Sequence, residues 1–128
     1  MEEQYINQAN FVSRAESVMG KLEEDGRLLK LTTTKLRNIL TLVSEIYNRA
    51  SRSRDKKLSE GLRSKVQYLK MRIVYESGRE VAVKDFVNRA GLLREIDAIG
   101  DSRDRLITFC HYMEALVAYR KFMGPDSN

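Results

Sequence analysis

Apolar residues recur with the period of an α-helix along most of the chain. The clearest stripe has positions three and four residues apart: Leu36, Ile39, Leu40, Val43, Ile46 and Tyr47. This spacing places side chains on one face of an amphipathic helix. The hydroxyl groups of Thr32, Thr33 and Thr34, directly before the stripe, are candidate N-caps. The pattern therefore predicts a helix that begins at these threonines.

Four further helices are predicted from the same spacing, at about residues 4–24, 55–78, 83–99 and 101–124. Asp55 and either Asp101 or Ser102 are candidate N-caps. Gly78 and Gly100 can take the left-handed conformation that ends a helix, and Pro125 stops the last one.

No segment alternates between apolar and polar residues as a strand does. We expect an all-α fold, a single compact bundle of about five helices with short connections, and one domain over residues 1–128. Tyr75, Tyr112 and Tyr119 stand among apolar residues at helical spacing, which favours core positions over base-stacking ones.

The composition indicates a globular protein: 42% of residues are hydrophobic and 32% are charged. No apolar run approaches the roughly 18 residues of a membrane span, and the acidic start does not resemble a signal peptide. Cys110 is the only cysteine, so no intramolecular disulfide can form. We expect a cytoplasmic protein with a buried, inert thiol at Cys110.

The residue types that enzymes need are scarce. His111 is the only histidine, so the chain cannot assemble a zinc site or a Cys-His dyad with its own orienting group. No phosphate-binding Gly-rich loop is present. Glu23, Glu24 and Asp25 are adjacent, and adjacent residues of a helix point in different directions. We predict no catalytic residue, no metal and no cofactor, and interpret His111 as a hydrogen-bonded structural residue.

Charge is unevenly distributed along the sequence. The net charge is +5, but residues 1–26 carry two bases against six acids, a net −4, so the remainder carries +9. Residues 49–79 alone hold ten bases and three acids, a net +7. Such a segment attracts polyanions, although a solvated helix face or a contact with an acidic protein is equally compatible with it.

Cations in this segment recur at seven-residue intervals, close to two helical turns: Lys56, Arg63 and Lys70 in one row, and Lys65, Arg72 and Arg79 in another. Each row is predicted to run along one helix, away from its apolar stripe or at its margin. Cations spaced by roughly 10 Å suit phosphate groups.

Three segments resemble one known family. Residues 31–38 are similar to its Thr-Thr-x-Lys-Leu-Arg-Asn helix start, residues 68–80 to its Tyr-x-Ala-Gly-Arg segment, and residues 109–122 to its aromatic ending with Glu-Ala-Leu-Val-Ala-Tyr. The family is the small subunit of the type III-A CRISPR (Csm) effector complex. The resemblance covers residues 31–123 and leaves out the acidic helix within residues 1–30.

The resemblance implies a non-catalytic helical subunit of a ribonucleoprotein that functions in antiviral defence. Its implied partners are the CRISPR RNA and the target RNA, held through phosphates without sequence specificity, the backbone and large subunits, and further copies stacked head to tail. We single out seven cations as RNA contacts: Lys35, Arg37, Lys70, Arg72, Arg79, Lys84 and Lys121. For each of them, a solubilising surface charge or an internal salt bridge is the competing interpretation.

Three other functions remain open. A scaffold subunit of the same complex would use its cations to contact proteins and would not touch RNA. A regulatory DNA-binding protein would need a recognition helix after a tight turn, and none is evident. An enzyme would need the catalytic groups that the sequence lacks.

Overall fold

The computed structural model describes residues 4–124, and this part of the chain is all-α, as predicted. A 3₁₀ turn at Leu28–Lys30 lies between the first two of its six α-helices: α1 Phe11–Glu24, α2 Thr33–Arg52, α3 Glu60–Arg79, α4 Val81–Ala90, α5 Leu92–Asp97 and α6 Arg103–Met123. Helix α6 packs against both α1 and α2, and α3 packs against α2 and α4. Their apolar faces enclose one core that includes Phe86, Phe109 and Tyr112.

Two of the predicted N-caps are confirmed. The Thr32 side chain accepts a hydrogen bond from the Lys35 amide at the start of α2, and the Ser102 side chain accepts one from the Arg105 amide at the start of α6. Each cap satisfies a backbone donor that the first helical turn leaves without a partner.

The first helix begins later than residue 4. The Asn7 side-chain oxygen accepts hydrogen bonds from the amides of Ala9 and Asn10, at 2.8 and 3.0 Å, and the Asn10 side-chain oxygen accepts one from the Asn7 amide at 2.8 Å. These side-chain bonds replace helical ones. The helical prediction for residues 4–10 was therefore wrong.

Helix α3 is capped by Ser59 and not by Asp55. The preceding residues are held extended, because the Leu58 amide donates to the Asp101 carbonyl at 2.8 Å and the Arg103 amide donates to the Lys56 carbonyl at 2.9 Å. Lys56 therefore lies outside the helix, and the predicted row of Lys56, Arg63 and Lys70 does not run along one helix.

At Gly78 and Gly91 the structure differs from the prediction of where a helix ends. Gly78 does not end α3, which continues to Arg79. Gly91 lies in the left-handed region at φ 66° and divides the predicted helix 83–99 into α4 and α5. A residue in this conformation cannot continue a helix. Pro125, the predicted stop of the last helix, lies outside the described residues.

Three charged side chains are buried within residues 4–124. Glu95 accepts a hydrogen bond from the Ile6 amide at 3.2 Å and pairs with Arg14 and Arg94, which fixes residues 4–10 against α5. Glu76 lies between α2 and α3, and Arg120 lies in the last turns of α6. The apolar stripes gave no indication that these three residues are buried.

Candidate nucleic-acid interface

An open cleft lies where the start of α2, the end of α3 and the start of α4 meet. It has a volume of about 700 Å³, and its lining includes four cations, Arg27, Lys30, Lys35 and Arg79. Two carboxylates, Glu80 and Asp85, also line it, so its charged residues sum to +2. Thr32, the N-cap of α2, lines it as well, and helix N-termini favour anions. The cleft brings together Lys35 and Arg79, two of the seven candidate RNA contacts.

The cleft cations are partly neutralised by internal ion pairs. Arg27 contacts Asp85 at 2.7 Å, and Lys35 contacts Glu80 at 3.4 Å. The Lys35 ammonium also donates to the Lys30 carbonyl at 3.0 Å. Each pair is partly exposed, where ion pairs contribute little stability and can exchange partners. The cations are thus held in place but not buried.

Two other candidates pair within the protein, as the competing interpretation allows. Lys70 extends from α3 to Asp97 of α5 at 2.7 Å. Arg72 contacts the buried Glu76 at 2.6 Å, and Arg79 lies 3.8 Å from the same carboxylate. Asn38 of α2 also donates to Glu76, at 3.3 Å. Glu76 therefore joins α2 to α3 and competes with any external anion for Arg72 and Arg79.

The remaining candidates, Arg37, Lys84 and Lys121, have exposed side chains that form no ion pair with residues 4–124. Arg37 lies on the face of α2 opposite its buried residues, away from the cleft. Lys84 is one turn after Val81, which lines the cleft. Lys121 is in the last turn of α6. The seven candidates therefore do not share one face.

Sequence reasoning missed Arg27 and Lys30. Both precede the resembling segments, and the 3₁₀ turn at Leu28–Lys30 brings them to the cleft. A usable signal was present, because two bases lie just ahead of the Thr32 cap, where a helix N-terminus already favours anions.

The outcome for the tyrosines is mixed. Tyr112 is fully buried and donates to the Ala90 carbonyl at 2.8 Å, and Tyr119 packs against the core. Tyr75 is 52% exposed, so its prediction as a core residue was wrong. Its ring is instead covered by Arg72, whose guanidinium carbon lies 4.9 Å from the ring centroid.

Cys110 and His111 have the structural settings expected of them. Burial raises the pKa of the Cys110 thiol to about 12, and nearby Glu114 adds to this effect. The His111 ring lies between Phe11 and Tyr47, with centroid distances of 5.7 and 5.6 Å. Its Nδ1 is 3.5 Å from the Gln8 amide nitrogen. Because its pKa is raised, the Cys110 thiol is protonated near neutral pH, and a protonated thiol is a poor nucleophile.

Residues 4–124 contain neither a group of metal ligands nor a membrane-spanning helix. No group of three or more His, Cys, Asp or Glu side chains there is arranged to hold a metal ion. No helix in this part of the chain is long and apolar enough to cross a membrane.

The fold and this surface define a small all-α protein with a basic cleft and additional exposed cations. Residues 7–126 match the family model described as Csm2 Type III-A. A protein of Mycobacterium tuberculosis (strain CDC 1551 / Oshkosh), described as CRISPR system Cms protein Csm2, is 48% identical over 120 residues, which cover 94% of this chain and 96% of that protein. The protein of the same description from Streptococcus thermophilus is 44% identical over 121 residues, 93% of this chain and 95% of that protein.

The chain belongs to the Csm2 family, the small subunit of type III-A CRISPR effector complexes. The match begins at residue 7. It therefore includes α1, for which the sequence motifs gave no resemblance.

Proposed function

We propose that this subunit is non-catalytic and binds the CRISPR RNA and its paired target RNA through their phosphates, without reading sequence. The cleft with Arg27, Lys30, Lys35 and Arg79 is the observation that carries the proposal. Phosphate contacts need positive charge at fixed positions and no base-specific groups. Arg37, Lys84 and Lys121 add exposed charge outside the cleft. We further propose that it acts in the cytoplasm, as one domain, beside the backbone and large subunits and further copies stacked head to tail.

A scaffold subunit without RNA contact is the second candidate. The observation that favours it is internal pairing: Lys35, Lys70, Arg72 and Arg79 each have a carboxylate partner within the chain. An RNA phosphate must compete with these partners. The partial exposure of the cleft pairs favours exchange, which is why we place RNA binding first.

Fluorescence anisotropy with a labelled RNA of about 40 nucleotides and with unrelated sequences, over a salt series, tests the proposal. We expect binding that is indifferent to sequence and weakens steeply with salt. Arg37→Glu and Arg79→Glu should each weaken binding and flatten the salt dependence. Lys21→Glu is the charge-matched control, because Lys21 is exposed on the acidic α1.

Two results would count against phosphate contact. If the Lys21→Glu control weakens binding as much as Arg79→Glu does, only net charge matters. If the wild type does not bind even at low salt, a single copy does not contact RNA directly. Crosslinking to RNA within the assembled complex would then distinguish RNA contact by several copies from the scaffold function.

A further inference from the structure

Helix α3 carries an apolar surface that no other part of residues 4–124 covers. The α3 outer face is defined by Tyr68, Met71, Val74 and Tyr75, which are each 49–52% exposed. Their spacing places them on the side of α3 opposite Leu69 and Ile73, which are fully buried. A contiguous group of large exposed apolar side chains marks an interaction surface.

The side chains of this face fit a protein better than an RNA. Arg72 and Arg79 both lie over the Tyr75 ring, with guanidinium carbons 4.9 and 6.0 Å from its centroid, so a base would have to displace a guanidinium to stack on it. Met71 and Val74 have no aromatic surface for stacking, which leaves Tyr68 as the one ring of this face without a guanidinium over it. Tyr, Met and Arg are the residues enriched at the centres of protein interfaces.

The charges beside the α3 outer face indicate what kind of surface can pack against it. Lys65, Arg72 and Arg79 recur every seven residues along one edge of it. Two copies of α3 packed against each other would bring these cations into opposition, which is unfavourable. Charge complementarity therefore favours a partner surface with carboxylates at a matching interval of roughly 10 Å along a helix, which would share Arg72 and Arg79 with Glu76.

Helix α1 of a second copy carries such a surface. Its Glu16 and Glu23 are exposed, are seven residues apart and form no ion pair with residues 4–124. Beside them, on the same side of α1, lie the small residues Ser13, Ser17 and Gly20. A Cβ added at Gly20 would meet nothing within 4 Å, so packing within the chain does not require glycine there. Glycine in a helix interior is destabilising by about 0.5–1 kcal/mol, and its lack of a side chain leaves room for another chain to approach closely.

We propose that the α3 outer face of one copy docks onto this small-residue surface of α1 in the next copy, with Glu16 and Glu23 facing the row of cations. This inference gives the surfaces for the head-to-tail stacking of the proposed function and rests on that part of it. Its row of cations includes Arg72 and Arg79, which are also candidate RNA contacts, so stacking and RNA binding are measured separately. Because the two surfaces differ, the contact is heterologous and leaves one surface free at each end. Copies can therefore add one after another.

Sedimentation equilibrium of the full chain without RNA, at low salt, tests the pairing with two complementary variants. The α3 variant is Tyr68→Ala/Met71→Ala, and the α1 variant is Glu16→Lys/Glu23→Lys. The wild type should self-associate with increasing concentration. Each variant alone should associate at least about tenfold more weakly. An equimolar mixture should form a dimer and nothing larger, because each variant keeps one working surface.

Phe122→Ala is the matched control, since Phe122 is 83% exposed and belongs to neither surface. It should associate as the wild type does. Circular dichroism of every variant verifies that the helices remain folded, and the changed side chains are all exposed. RNA anisotropy at concentrations where the protein is monomeric tests RNA binding separately.

Three outcomes would overturn the inference. The first is a wild type that stays monomeric up to about 1 mM. The second is either variant associating as strongly as the wild type. The third is a mixture of the two variants that does not associate, because complementary surfaces must restore one contact.

Discussion

The side chain of Arg120 is fully buried and donates from Nε to the carbonyl oxygen of Leu31 at 2.6 Å. Leu31 immediately precedes the N-cap of α2, so this bond attaches the last turns of α6 to the start of another helix. Arg120 also donates to the Gly124 carbonyl at 3.2 Å. The guanidinium therefore satisfies a buried acceptor at Leu31 and a partly buried one at Gly124.

Arg120→Met is expected to lower the free energy of unfolding by about 3 kcal/mol, because the buried Leu31 carbonyl and the partly buried Gly124 carbonyl lose their donor. Urea denaturation measures the change. Lys121→Met is the neighbouring control, and its exposed side chain should change stability by less than about 0.5 kcal/mol. A loss below about 1 kcal/mol in Arg120→Met would show that the buried bonds are not important for stability.

Glu76→Gln is expected to lower stability and to increase RNA affinity. The buried carboxylate holds Arg72 at 2.6 Å and Arg79 at 3.8 Å, so its neutralisation frees two cations for phosphates. The cost should be about 1–3 kcal/mol, because charge-assisted hydrogen bonds are lost. The slope of log affinity against log salt should steepen by about 0.7–1.4 for one or two added contacts to a single strand.

Glu24→Gln is the matched control for this effect. It changes the net charge equally, but Glu24 is exposed and pairs with no cation of residues 4–124. Equal increases in affinity for Glu24→Gln and Glu76→Gln would mean that net charge, and not the release of Arg72 and Arg79, controls binding.

Local sequence signals were enough to predict the helices that have both an apolar stripe and an N-cap. Thr32 and Ser102 were found because an N-cap acts within three residues of itself. The helix break at Gly91 could not be predicted from local signals, because the sequence does not distinguish a glycine inside a helix from a glycine at a helix end. Ser59 replaced Asp55 because residues 56–58 pair with residues 101–103. Such distant pairing overrides a local preference.

The candidate interface was less predictable because it depends on contacts between distant residues. Lys35 and Arg79 share a cleft only because α2 and α3 pack side by side. The carboxylate partner of Lys70 is on α5, and that of Arg72 lies one turn further along α3. A periodic row of cations in sequence therefore does not distinguish exposed charges from paired ones.

Gly91→Ala and Gly78→Ala should change stability in opposite directions. Gly91 has φ 66°, where a Cβ costs about 1–2 kcal/mol, so alanine should destabilise the protein. Gly78 lies within α3, and a Cβ there meets nothing within 4 Å. Because Gly78 is the next-to-last residue of α3, alanine there should stabilise by less than in a helix interior, by up to about 0.5 kcal/mol. Thermal unfolding of the two variants measures the difference, and a shift of the same sign in both would contradict the backbone argument.

Cys110 should make the protein less stable as the pH rises above about 9. Burial raises the pKa of its thiol from 9.0 to about 12, so below pH 9 the group is protonated in both the folded and the unfolded chain. Between the two values only the unfolded chain loses the proton, which favours unfolding by about 1.4 kcal/mol per pH unit. Urea denaturation at pH 8 to 10.5 measures the slope. The difference between the wild type and Cys110→Ala isolates the thiol, and the variant should have the shallower slope. Identical slopes in the two proteins would show that the thiolate is accommodated in the folded state.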